Sequence, residues 1–158
     1  MRFFNTLILF LCCFLQTRAQ QLYHLSQISG NPNFDVKFRN GTLIGINSFT
    51  IRFFDLQNQL SPQAIQSIVP PSWPFSLYTN GNTMYSGGAM MGGFGVYDIS
   101  DPFTAHLIKF EASIPSTIYQ MCQQGNYLYA DGNQDTLYVI DITTPASASV
   151  INRIAINS

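Results

Sequence analysis

The sequence predicts an all-β chain of β-propeller blades, with about three four-stranded antiparallel units behind a leading strand. Three observations carry this expectation. Asp55, Asp98 and Asp141 recur 43 residues apart, the length of a four-stranded blade repeat. Each aspartate closes an apolar run: Ile51-Arg52-Phe53-Phe54-Asp55-Leu56, Phe94-Gly95-Val96-Tyr97-Asp98-Ile99 and Leu137-Tyr138-Val139-Ile140-Asp141-Ile142. Beyond the first nineteen residues, no stretch of ten or more carries helical periodicity.

The elements follow in order. Residues 22–28 read as a lone leading strand, ended by Gly30-Asn31-Pro32-Asn33. The first unit, roughly 34–69, has strands at 34–39, 42–46, 51–56 and 64–69, with an Asn40-Gly41 hairpin turn. The second, roughly 74–112, repeats this at 75–79, 83–86, 95–99 and 105–110, with Asn80-Gly81 as its turn signal. The third, roughly 118–156, has strands at 118–123, 127–130, 136–142 and 150–156 around Gly125-Asn126. Third strands are nearly continuous in apolar residues, as suits strands covered on both faces. Fourth strands mix charged with apolar residues (Lys109 and Glu111; Asn152 and Arg153), as outer strands do.

At 158 residues, 46% hydrophobic and 9% charged, the chain has the composition of one globular domain. Its seven basic and eight acidic side chains form no run of either sign, so nucleic acid and anionic membranes are not expected partners. Residues 1–19 read as a secretory signal peptide: Arg2, an apolar run over 7–15, then Thr17-Arg18-Ala19. That run is too short to cross a bilayer, and no later stretch is apolar enough for a transmembrane helix. Cleavage after Ala19 predicts a secreted, extracellular chain in which Cys122 is the remaining cysteine. Aligned on the turn signals, Cys122 falls with Phe38 and Tyr78, which predicts a buried small hydrophobe.

The segments Gly125-Asn126-Tyr127-Leu128-Tyr129-Ala130 and Leu137-Tyr138-Val139-Ile140-Asp141-Ile142 resemble the signature strands of LVIVD-type repeats, a β-propeller family of mostly extracellular or envelope proteins. Leu137 and Asp141 match the first and last of the five letters, Val139 and Ile140 supply the β-branched pair between them in exchanged order, and the match decays through the second unit to the first. The resemblance implies a blade, and the family has no common catalytic residues. Three units do not readily close a ring, since closed propellers typically have four to eight blades. The expectation is a truncated piece of a longer propeller ahead of two chains completing one another by self-association through open blade faces.

What recurs in every blade is structural, so the three aspartates read as turn devices rather than catalysts, their carboxylates accepting from backbone N–H groups just ahead. His24 and His106 stand apart from any motif and no catalytic triad can be assembled, so an enzyme is not expected. Asp131, Asn133 and Asp135 have the alternate-residue oxygens of a calcium loop. Thr136 and Ile142 replace the glycine and glutamate of an EF-hand, which leaves calcium as a weaker alternative to an ordinary polar turn and otherwise no cofactor. Gly87-Gly88-Ala89-Met90-Met91-Gly92-Gly93 precedes a strand rather than a helix, so it reads as a flexible loop and not a phosphate cradle.

In a meander, loops between second and third strands share a face with the links between units. That face collects Met90, Met91, Asn133 and the link Pro70-Pro71-Ser72-Trp73-Pro74, with the sole tryptophan. Trp73, Met90, Met91 and Asn133 are therefore the candidate contact residues. The opposite face carries Asn40, which heads the N-glycosylation sequon Asn40-Gly41-Thr42. The expected function is a non-enzymatic scaffold for an extracellular protein or glycan. The alternative is a calcium-dependent enzyme or lectin-like unit using Asp131 and Asp135.

Overall fold

A computed structural model describes residues 35–133 and 135–156. The expected signal peptide and leading strand lie outside the described residues. Within them the chain is all-β: three four-stranded antiparallel sheets in a propeller-like arrangement. The first sheet joins β1 (Val36–Arg39), β2 (Thr42–Asn47), β3 (Thr50–Asp55) and β4 (Gln63–Ile68). The second joins β5 (Pro74–Asn80), β6 (Thr83–Gly88), β7 (Phe94–Asp98) and β8 (His106–Glu111). The third joins β9 (Ile118–Gln124), β10 (Tyr127–Gly132), β11 (Thr136–Asp141) and β12 (Ser149–Ala155), with a 3-10 turn at Pro145–Ser147 before the last.

The aspartate period has a local cause. Asp55 Oδ1 accepts from Gln57 N, Asp98 Oδ1 from Ser100 N and Asp141 Oδ1 from Thr143 N, each at 2.8 Å. The next residue then folds back on the first hairpin of its own sheet: Leu56 N to Gly41 O, Ile99 N to Asn82 O and Ile142 N to Asn126 O. A register shift recurs at the same repeat position in every sheet, between Phe53 and Phe54, Val96 and Tyr97, and Val139 and Ile140. Such bulges bend and twist the outer strand.

Two cores lie between the sheets. Ile44, Ile46, Ile51 and Phe53 of the first pack on Leu77, Met84, Tyr97 and Ile99 of the second. On its other face the second sheet packs Tyr85, Phe94 and Val96 against Leu128, Ala130, Tyr138 and Ile140 of the third. Alternation along the strands thus sends one face of each sheet forward and the other back.

Three expectations need correcting. The second hairpin turns on Gly81-Asn82, because Asn80 pairs with Thr83 and remains in the strand. The counterparts of Cys122 are therefore Lys37 and Tyr78, not Phe38. Cys122 is exposed rather than buried: Tyr78 is covered by the third sheet, whereas the forward face of the third sheet has no described sheet beyond it. The glycine-rich stretch is a loop only from Ala89 to Gly93. Gly87 and Gly88 belong to β6, Gly88 N donates to Gly93 O, Ala89 N to Trp73 O, and Gly93 N to Ile114 O.

Candidate functional site

The inner strands β5 and β9 each carry a register shift at one position. Pro74 pairs with Gly88 and Ser76 with Gly87, which leaves Phe75 unpaired; Ile118 pairs with Gly132 and Gln120 with Asp131, which leaves Tyr119 unpaired. A bulge re-aims its side chain, and these two aromatic rings meet edge to face, 5.6 Å between centroids at 85°. In the sequence, Phe34 immediately precedes Asp35 as Phe75 precedes Ser76, but it lies outside the described residues.

Phe75 and Tyr119 separate two depressions. One, about 240 Å³, is lined by Trp73, Phe75, Ala89, Met90, Thr117 and Tyr119 and is mainly apolar. The other, about 360 Å³, adds Asp35, Lys37, Leu77, Gln120 and Met121. Its charges are already engaged: Lys37 Nζ meets Asp35 Oδ1 at 3.0 Å, and Asp35 Oδ2 accepts from Leu77 N at 2.7 Å. The apolar groove is the better receptor for an apolar ligand, since filling it leaves the Asp35–Lys37 pair and the Leu77 hydrogen bond intact.

The sequence-derived residues fall as follows. Trp73 is half-buried, its ring tilted at 39° against Phe49 of the β2–β3 turn with centroids 4.5 Å apart, while it also lines the groove. It is thus neither a free surface ring nor lost between sheets. Met90 and Met91 are 80% and 83% exposed. The backbone holding them is fixed by Gly92 N donating to Ala89 O and by the Gly93 N bond to Ile114 O. Asn133 joins the same end of the molecule through its N–H to Thr117 O at 3.2 Å.

Asp131 stands within β10 rather than in the turn, on the exposed forward face of the third sheet, and Asp135 occupies the left-handed turn position at φ 52°. Among the described residues no three His, Cys, Asp or Glu side chains are grouped for a metal. Asn40 is exposed at the β1–β2 turn, at the opposite end of its sheet from Phe49. Sequence reasoning missed Phe49, Phe75, Thr117 and Tyr119. Alternation assigns such inner-strand aromatics to a sheet face, and only the register shifts show that they leave it.

No family model matches the chain, and neither does any curated protein. Solved structures do resemble it. The computationally designed Ika4 protein matches with a TM-score of 0.67 at 18% identity, over 87% of this chain and 82% of that one. The designed Ika8 protein matches at 0.63 and 18% identity, over 79% of this chain and 37% of its own. A Bacteroides fragilis protein provisionally assigned as a 6-phosphogluconolactonase matches at 0.69 with 12% identity, over 84% of this chain and 42% of that one. At these identities the likeness shows a shared propeller-like fold, and this chain spans less than half of Ika8 and of the Bacteroides protein.

Proposed function

We propose that the chain is a non-catalytic propeller-type binding module, secreted or displayed at the cell surface, that holds an extracellular protein through the groove between Trp73, Met90 and Tyr119. The observation that carries this reading is the pairing of a preformed apolar groove with two methionines, 80% and 83% exposed, on a pinned loop. Adaptable methionines over rigid aromatic walls suit an apolar side chain of a protein partner. A glycan is the second class of ligand, stacked on Tyr119 or Trp73, but Thr117 is the one lining residue of the groove with an aliphatic hydroxyl. Lactone chemistry on a sugar phosphate gains no support from the neighbouring depression, whose one lysine is paired with Asp35. Leu137 and Asp141, which match the ends of the LVIVD motif, with the β-branched Val139 and Ile140 between them, are what supports a kinship with repeat propellers of that type.

The test presents immobilised purified chain to secreted proteins of its source and, separately, to a glycan panel. Wild type should retain a protein that both Met90→Asp and Tyr119→Ala lose. Equal retention by the variants removes the groove from the function, and retention of glycans alone replaces the protein reading.

A further inference from the structure

Beyond its packing, each junction between sheets is stitched by hydrogen bonds from three fixed repeat positions of the preceding sheet, whose partners in the next sheet are repeat-equivalent at the third position. At the first position Asp35 accepts from Leu77 N, and its counterpart Ser76 donates to Ile118 O at 2.8 Å. At the second, Arg39 donates to Ile99 O at 2.9 Å and to Asn82, and its counterpart Asn80 donates to Gln123 at 2.8 Å. At the third, Gln66 reaches Ala105 O at 3.5 Å, and its counterpart Lys109 reaches Ala148 O. Strand registers carry these positions into the third sheet as Gln120, Gln124 and Asn152, all exposed amides. Asn152 Oδ1 accepts from Arg153 N at 2.8 Å just as Gln66 Oε1 accepts from Ser67 N at 2.9 Å, which leaves the amide nitrogen for a carbonyl beyond the sheet.

The apolar positions follow the same rule. Ile44, Ile51 and Phe53, then Tyr85, Phe94 and Val96, point forward into a core at 0–3% exposure. Their counterparts in the third sheet are Tyr129 and Leu137, half-buried, and Val139 at 9%, beside Tyr127 at 42% and Ile154 at 43%. The first sheet carries the complementary half on its backward face. Val36, Leu43 and Phe54 sit where Leu77, Met84 and Tyr97 of the second sheet receive the sheet before them, with Val36 at 44% and neighbouring Phe38 at 66% exposure, and with Phe54 at 7% under the Arg52 guanidinium.

We infer that the forward face of the third sheet docks the backward face of the first sheet of a second copy of this chain. Two such junctions between a pair of chains unite six described sheets, a number within the range of closed propellers. Gln120, Gln124 and Asn152 supply the polar clasp, while Tyr129, Leu137 and Val139 supply the core. Cys122, opposite Tyr129, lies inside the contact. The contact involves none of the residues that line the groove.

The test uses the full chain as its host cell secretes it. Sedimentation and light scattering across the micromolar range should give twice the protomer mass, with Cys122 alkylation slowing as concentration rises. Leu137→Glu on one face and Phe38→Glu on the other should each weaken association by about 30-fold or more while keeping the strand signal in circular dichroism. Mixing the two variants should restore a dimer, because one intact face of each kind remains for one junction. Wild type that stays monomeric, with Cys122 alkylation independent of concentration, overturns the inference in favour of cover from elsewhere in the polypeptide. Failure of the mixture to pair also overturns it, because a head-to-tail junction requires that rescue.

Discussion

Ser76 Oγ donates to Ile118 O across 2.8 Å, joining the inner strands of the second and third sheets at a point where both residues are buried, at 2% and 0% exposure. A Cβ on Gly87 would strike the side chains of both, so the backbone of β6 comes close only because that residue is glycine. The hydrogen bond is the buried member of the stitches that fix one blade against the next.

Replacing Ser76 with Ala leaves a buried carbonyl without that partner, which costs about 1–3 kcal/mol. The expected outcome is a lower urea midpoint with an unchanged slope. Asn80→Ala removes an exposed stitch of the same junction and should stay within about 0.5 kcal/mol. Equal losses for the two variants would show that burial does not govern the strength of the junction.

The blade grammar was legible because its devices are local. An aspartate that accepts from the N–H two residues on, and a short turn that reverses a strand, need only their neighbours, so every described strand stands within two residues of its expected place. The groove was half legible. Counting alternate loops gathers its Trp73 and Met90, with Asn133 at the same end of the molecule but outside its lining, whereas Phe75 and Tyr119 reach it through register shifts that no alternation pattern records. Cys122 was misplaced because Asn80-Gly81 imitates a turn one residue early, and because burial there depends on what lies beyond the sheet.

Gly92 and Gly125 separate two costs of adding a side chain. Both have positive φ, 66° and 58°, but a Cβ on Gly125 meets nothing within 4 Å, whereas one on Gly92 runs into Ile114 O. Gly125→Ala should cost about 1–2 kcal/mol, the left-handed backbone penalty alone. Gly92→Ala should cost more, since the Ile114 backbone must also move and with it the bond to Gly93 N. Because that bond holds the Met90 loop, Gly92→Ala should also weaken partner retention, while Gly125→Ala should not. Thermal melts and the retention assay on the same two proteins check both statements.

Tyr97 is the group expected to set the alkaline limit of stability. Burial in the first junction pushes its phenol up to about 12, against a smaller opposing effect from the Ser86 hydroxyl, which donates to Tyr97 Oη at 3.2 Å. The unfolded chain ionises this group near its ordinary value of 10, so between about pH 10 and 12 the unfolded state binds fewer protons than the folded one. Stability from this group is whole below pH 10 and is lost as pH rises to the folded value, a fall of about 3 kcal/mol for a two-unit shift. Asp98 and Asp141 act at the other end. Hydrogen bonds from Ser100 and Thr143 hold their carboxyls below the usual range, so that contribution is present above the unfolded carboxylate value and is lost as pH falls through the lower folded one. Urea midpoints measured from neutral pH to pH 12 should drop steeply above pH 10 in wild type. Tyr97→Phe should lower stability at neutral pH by the lost Ser86 hydrogen bond and flatten the alkaline drop. An alkaline drop of the same size in Tyr97→Phe would assign it to other groups, with Tyr85, whose phenol burial also raises, as the next to replace.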